Sequence, residues 1–503
     1  MIRPVLGRDA LRGAASFVLA GLLTGAAPVA VPPAATSSVG TLPDLGPQTT
    51  VTRLASGGLG IVRPLAGAPV AAVELWFRAP STGFGTKPAV SIARVAAQVV
   101  AASKPFVGSS LGEQVRDLGG RLEITVYADS LSISATVPSA SAAAVLKAMT
   151  TDYFAPVVTN DGFDAAQQQV NQEAFFAAFD PQTVVRDAVF GQLFATGPQH
   201  FSAEGSTSDI GALSLDAVRG FASRAFRANN AVVVVSGAVD PAIVASAVPG
   251  RPDAAAGVEP FDNPVLALAP GPVTQAFAEP SGGYGWVGPA IADARAATAL
   301  DFVSDYLFRP EVGSVVRELA DRSPDAFVNG QFITLNDPGV MVVVFSGKKP
   351  AELRLRVDAA IAAMQQPLDA ASFARAIAAF KGHLLSDLQT PRQLADNFGW
   401  YAVEGAPEYA PGADGDAGLY FKTASALTPA FVAETVRSYL GKTPIVVTLA
   451  PGTAASARPG IGRRFPLRRP SPGASPAPGT SPAPAVPAPE ASPTAPPSPA
   501  ATP

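Results

Sequence analysis

The sequence is poorest in the residues that carry most metal and thiol chemistry: among 503 residues there are two histidines and no cysteine. The absence of cysteine excludes disulfides, thiolate nucleophiles and Cys-ligated clusters. A catalytic zinc site normally takes three ligands from His, Cys, Asp and Glu, with at least one imidazole or thiolate. His200 and His383 are far apart and neither belongs to a His-x-x-Glu-His cluster, so a helix-borne zinc site cannot be assembled. Each reads as a surface or half-buried residue, His200 in the turn TGPQHF and His383 in the helix around Phe380 to Leu388. Charge is also scarce. Lys and Arg number 36 against 40 Asp and Glu, a net charge of −4, and without a basic surplus no nucleic-acid partner is expected. There is no Gly-x-Ser-x-Gly elbow, phosphate-binding loop or dinucleotide fingerprint.

What the chain does contain is apolar: hydrophobic residues make up 48 %, enough for a buried core without disulfides. Length alone suggests about three domains at roughly 150 residues each. Residues 1–35 read as an export signal, with Arg3, Arg8 and Arg12 ahead of the short apolar stretch Ala14 to Ala27. The expected location is therefore the periplasm, cell envelope or exterior, and the competing reading is an uncleaved membrane anchor. Residues 456–503 form a basic and then Pro/Ala/Ser-rich tail, expected to be disordered. Its basic cluster from Arg458 to Arg469 reads either as a solvated linker or as a contact for an anionic envelope surface.

Between Leu42 and Pro451, strand pairs alternate with amphipathic helices. Val73, Leu75 and Phe77 alternate with Glu74, Trp76 and Arg78, the pattern of a strand with one buried face, and a hairpin with Leu59 to Leu65 is expected. Helices are expected at Ala89 to Ala102, Leu111 to Leu118, Ser139 to Tyr153 and Asp161 to Phe179, and strands at Arg121 to Tyr127 and Leu131 to Val137. One segment recurs: LSLDAVRGFASRAFRANNAVVVVSG from Leu213 and LTPAFVAETVRSYLGKTPIVVTLAP from Leu427, each a capped helix, a turn and a Val-rich strand. Two homologous halves follow from it, residues 40–250 and 262–453, with a linker near Pro249 to Pro264. The Gly-rich SGGYGWVGP from Ser281 reads as the start of a strand.

The order of these pieces resembles the insulinase/pitrilysin family of zinc peptidases, in the branch of the mitochondrial processing peptidase and bacterial two-domain homologues. The resemblance rests on VAAVELWFRAPSTGFG, SIARVAAQVVAASKPFVGSS, LGGRLEITVYADSLSISATVP, QQVNQEAFFAAFDP and FRANNAVVVVSGAVD. It implies an α+β chain of two metallopeptidase-like sandwich domains, each an antiparallel-rich sheet covered by helices. Where that family carries His-x-x-Glu-His, this chain has Arg94, Val95, Ala96, Ala97 and Gln98, so both ligand histidines and the base are replaced. Glu173 stands where the third ligand would lie, and Ala166 replaces the acid found two turns earlier. No catalytic residue, metal or cofactor is expected. A guanidinium at Arg94 repels a dication and is expected to pair with Glu173, the alternative being two solvent-facing charges. In the second half Arg317 fits a substrate-contacting arginine, and Phe327 takes the place of a tyrosine whose hydroxyl it lacks. The resemblance implies a non-catalytic companion in a heterodimer with a zinc-bearing relative, helping to enclose peptide substrates. The alternative is an independent exported scaffold or peptide-binding envelope protein. A peptidase with an unrecognised site has neither ligands nor base to draw on.

Overall fold

The computed structural model describes residues 48–104, 108–248, 260–261, 263–309, 314–322, 326–409 and 418–451. The expected signal, most of the linker, the tail and its arginine cluster lie outside them.

In the first half the chain runs β1 (Thr50–Arg53), β2 (Leu59–Pro64), β3 (Val70–Arg78), α1 (Ile92–Ala102), α2 (Leu111–Asp117), β4 (Arg121–Val126) and β5 (Ser130–Pro138). It continues with α3 (Ala142–Phe154), α4 (Asn160–Ala177), α5 (Pro181–Leu193), β6 (Phe194–Thr196), α6 (Thr207–Gly211), α7 (Leu215–Ala225), β7 (Ala231–Gly237) and α8 (Ile243–Ala247). The second half opens with β8 (Val265–Leu266), β9 (Val273–Phe277), β10 (Ser281–Val287), α9 (Ala294–Phe308), α10 (Val315–Arg322), β11 (Phe327–Ile333) and β12 (Val340–Ser346). It closes with α11 (Pro350–Ala363), α12 (Ala370–Ser386), α13 (Pro391–Val403), α14 (Leu419–Ser425), α15 (Pro429–Tyr439) and β13 (Ile445–Pro451). The result is an α+β chain with two mixed, mainly antiparallel sheets under helices, as the resemblance implied.

The sheets share one topology. The first has the order β1-β2-β7-β3-β5-β4 and the second β11-β12-β10-β13-β9. In each, the strand that ends the recurring segment lies between one parallel and one antiparallel neighbour: β7 between β2 and β3, β13 between β9 and β10. The caps recur as well, Ser214 accepting from the Ala217 N–H and Thr428 from the Phe431 N–H. The expected hairpin of β2 with β3 does not form. β7 inserts between them, because a Val-rich strand buried on both faces is best satisfied in the centre of a sheet.

The reading of β3 as a strand with one buried face is also corrected. Val73, Leu75 and Phe77 enter a core with α1, α3, α4 and α7. Glu74 and Trp76, both with no exposed surface, face α13 of the second half. Trp76 Nε1 donates to Glu74 Oε2 at 2.7 Å, and Arg392 of α13 pairs with Glu74 at 3.2 Å and with Asp396 at 3.0 Å. The exchange is reciprocal. α5, from the first half, packs on β10, β12 and β13 of the second sheet. Glycine makes both contacts close: a Cβ at Gly283 would stand 2.4 Å from Val185 of α5, one at Gly285 2.1 Å from Val189, and one at Gly399 of α13 2.0 Å from Trp76.

Candidate functional site

The segment Arg94 to Gln98, where the resemblance would put the zinc motif, lies on α1, which is buried nearly all round, by Ile92, Ala93, Val95 to Ala97, Val99 and Val100 among others. The helix starts at Ile92 rather than at Ala89 because Ser91 takes a left-handed conformation, φ 67°, which an L-residue with a side chain adopts reluctantly. Its hydroxyl donates to the Glu204 carbonyl at 2.8 Å and ties the segment before α6 to the start of α1. Gly205, at φ 66°, makes room: a Cβ there would stand 2.0 Å from Ser91 Oγ.

Arg94 is 8 % exposed and makes two ion pairs. Its Nη1 is 3.0 Å from Glu173 Oε2 on α4, and its Nη2 is 2.8 Å from Glu204 Oε2. Gln169, one turn earlier on α4, donates to Glu173 Oε1 at 3.2 Å. The segment bearing Glu204 is anchored on its other side. Ser202 Oγ donates to Asp187 Oδ2, and Arg186 holds Asp187 Oδ1 at 2.9 and 3.0 Å. Burial works against the Arg186 charge, but Asp187, Glu204 and Asp180 outweigh it and raise the guanidinium above its ordinary value. Buried charges persist when paired and hydrogen-bonded, and here the guanidinium of Arg94 lies between the carboxylates that face it. The pairing expected of Arg94 and Glu173 is formed, with a second acid that the sequence did not single out.

The other positions that the resemblance singles out are apolar or bland. Ala97 has no exposed surface and its carbonyl accepts from Tyr153 Oη at 2.9 Å. Gln98 is half-buried, and Ala166 is buried against the same core. A methyl in the core at position 97 can neither take a proton nor orient a water. Among the described residues no group of three or more His, Cys, Asp and Glu is disposed to hold a metal ion.

Just beyond Glu173, α4 ends in an apolar surface. Phe175, Phe176 and Phe179 are 40 %, 63 % and 53 % exposed, and Phe175 stacks edge-on against the other two at 5.7 and 5.1 Å. On the helix Phe176 lies one turn from Glu173, on the row that also holds Gln169. Beside α1 runs β4, the outer strand of the first sheet, which pairs with β5 alone among the described residues.

In the second half Arg317 is exposed on α10, its N–H capped by Ser314 Oγ at 3.1 Å. Phe327, 39 % exposed, opens the edge strand β11 opposite Ser346. His383 is half-buried with Nδ1 2.8 Å from Asp305 Oδ2, and His200 turns Nδ1 to the Phe194 carbonyl at 2.6 Å.

No protein-family model matches the sequence, and no curated protein matches it significantly. Its backbone does have counterparts. A protease from Helicobacter pylori superposes with a TM-score of 0.70 at 18 % identity, over 81 % of this chain and 100 % of that one. A peptidase M16 inactive domain from Pseudomonas fluorescens gives 0.67 at 16 % identity, over 80 % and 98 %. A chain of complex III2 from Candida albicans gives 0.66 at 14 % identity, over 80 % and 95 %. At these identities the likeness is one of architecture, and the chain is built on the two-sheet fold shared with M16-type peptidases.

Proposed function

We propose that the chain is a non-catalytic peptidase homologue that binds extended peptides and serves as the companion of a zinc-bearing relative. The observation that carries the reading is Arg94, a guanidinium ion-paired with Glu173 and Glu204 in the helix where the resemblance would put a metal ligand. With the positive charge supplied by the protein itself, neither a dication nor an activated water has a place there. What the neighbourhood retains suits binding. The outer edge of β4 offers backbone groups to an added strand. The three phenylalanines at the end of α4 form the kind of exposed apolar surface that marks an interaction site. Among the architectural counterparts one is an inactive domain and another comes from a multi-chain complex, which accords with a supporting role. The export signal read in residues 1–35 supports a role outside the cytoplasm.

Affinity purification of the full chain from its source cell tests the reading. A zinc-bearing relative is expected to co-purify, and Phe175→Ser/Phe176→Ser/Phe179→Ser is expected to weaken capture of extended apolar peptides. The chain by itself is expected to hold no zinc and to cleave no peptide. Stoichiometric zinc with cleavage, or a chain that is always solitary, overturns the proposal. Mass spectrometry of the mature N-terminus checks export.

A further inference from the structure

The side of α4 that faces away from the core carries a strip with a chemistry of its own. Gly162, Ala166, Val170 and Ala174 bury one side of the helix. The other presents Gln168, Gln172, Phe175 and Phe176, with Phe179 just past the last turn, all exposed. These residues succeed one another mostly at three and four positions, so they form one row along the helix. Phe175 stands at 74° to Phe176 and at 65° to Phe179, so the rings present angled faces rather than a flat platform.

Size, charge and hydrogen bonding each narrow what the strip can hold. The exposed parts of the three rings amount to about 300 Å², against roughly 800 Å² per partner in a stable interface. That is too little for a folded partner or a second copy and enough for a few residues of extended chain. From Ala165 to Phe179 the only ionised side chain is Glu173, and its carboxylate is taken up by Arg94 and Gln169. A charged peptide side chain would lose water here and gain no counter-charge. The backbone N–H groups that close α4 are also in use, Ala178 donating to the Ala174 carbonyl, Phe179 to Phe176 and Asp180 to Ala177, each at 3.1 Å. With the helix backbone paired to itself, an ordinary extended peptide would strand its own N–H groups against phenyl rings. Proline has no N–H to strand. A polyproline-type segment makes no internal hydrogen bonds and keeps its carbonyls open, and the side-chain amides of Gln168 and Gln172 are donors on the same row.

We propose that this strip docks uncharged, proline-rich segments of incoming peptides, with proline rings packed among Phe175, Phe176 and Phe179 and peptide carbonyls accepting from Gln168 and Gln172. The proposal rests on the peptide-binding part of the function proposed above and names the class that α4 takes, leaving strand-forming residues to the edge of β4. Such a ligand is already extended before it binds, so little conformational freedom is lost on docking.

Calorimetry on the full chain uses two peptides capped at both ends, one with the sequence PAPGTSPAPAVPAP, found at residues 476–489, and one with its prolines replaced by alanine. The proline-rich peptide is expected to bind at least about tenfold more tightly, the equivalent of one stranded N–H. Its affinity should not change as salt is raised, since no ion pair is involved. Phe175→Ser/Phe176→Ser/Phe179→Ser is expected to abolish binding, and Gln168→Ala/Gln172→Ala, on an exposed helix face, to weaken it about tenfold. Equal affinity for the two peptides overturns the proline-rich class and leaves peptide binding intact. No binding of either, alongside capture of a zinc-bearing relative, overturns the site and leaves the companion role standing. Binding that survives loss of the three rings, or a dimer in sedimentation that the serine variant undoes, overturns the proposal as well. The titration is repeated on the full chain with alanine at the prolines of residues 476–489. A peptide that binds this variant and not the parent would make the chain's own C-terminal segment the occupant and overturn the incoming one.

Discussion

Replacing Arg94 by methionine keeps most of the buried stem and removes only the charge. Glu173 and Glu204 are left facing each other with side chains 14 % exposed, and the guanidinium that held them, 10 % exposed, is gone. Removing one partner of a buried pair costs about 3–5 kcal/mol, because the survivor's charge stays desolvated. Here two carboxylates lose the same partner, so the upper part of that range applies at pH 7. The penalty belongs to the two carboxylates left without their cation. Urea denaturation at pH 7 measures it. Adding Glu173→Gln and Glu204→Gln to Arg94→Met should recover most of the loss. A loss below about 1 kcal/mol at pH 7, the behaviour of exposed pairs, or one that the added substitutions do not recover, would refute the assignment of a buried ion triad.

Three further outcomes are expected. Gly399→Val in α13 drives a side chain into Trp76, whose ring a Cβ would already meet at 2.0 Å, and should destabilise the chain by at least about 1–3 kcal/mol, read as a lowered urea midpoint. Asp301, which accepts from Tyr420 Oη at 2.9 Å, is pushed by burial up to about 6, so stability should fall between about pH 4 and pH 6 by roughly 3 kcal/mol, a slope absent from Asp301→Asn in denaturation curves. Arg94→His with Ala97→Glu and Gln98→His restores the sequence pattern of a zinc helix opposite Glu173 and should take up one zinc ion, measured by calorimetry; no uptake by the folded variant would argue that Gln98 and Glu173 are not on facing surfaces.

The local sequence carried more of this structure than its long-range pairings. The capped helices at Ser214 and Thr428 were readable, because an N-cap followed by an apolar stripe is a short-range signal, and the equivalent placing of β7 and β13 bears out the internal repeat. Strand neighbours were not readable: β7 enters between β2 and β3 from far along the chain, and nothing in Leu59 to Phe77 announces it. Glu74 and Trp76 looked like a solvent face because their cover, α13, comes from the other half. At the site, Arg94 and Glu173 were linked through the spacing the resemblance suggested. Glu204 had no such cue. It arrives on an irregular segment held by Ser202, Gly205 and the left-handed Ser91, and a tertiary contact of that kind leaves no periodicity in the sequence.

The trade of α5 for α13 also governs how the molecule can be made and broken. During synthesis one side of the N-terminal sheet stays bare until Pro391–Val403 has emerged, so that half has no finished form of its own to reach early. A cut in the connection between the halves should for the same reason leave two fragments clasped together, parting only when the whole molecule unfolds.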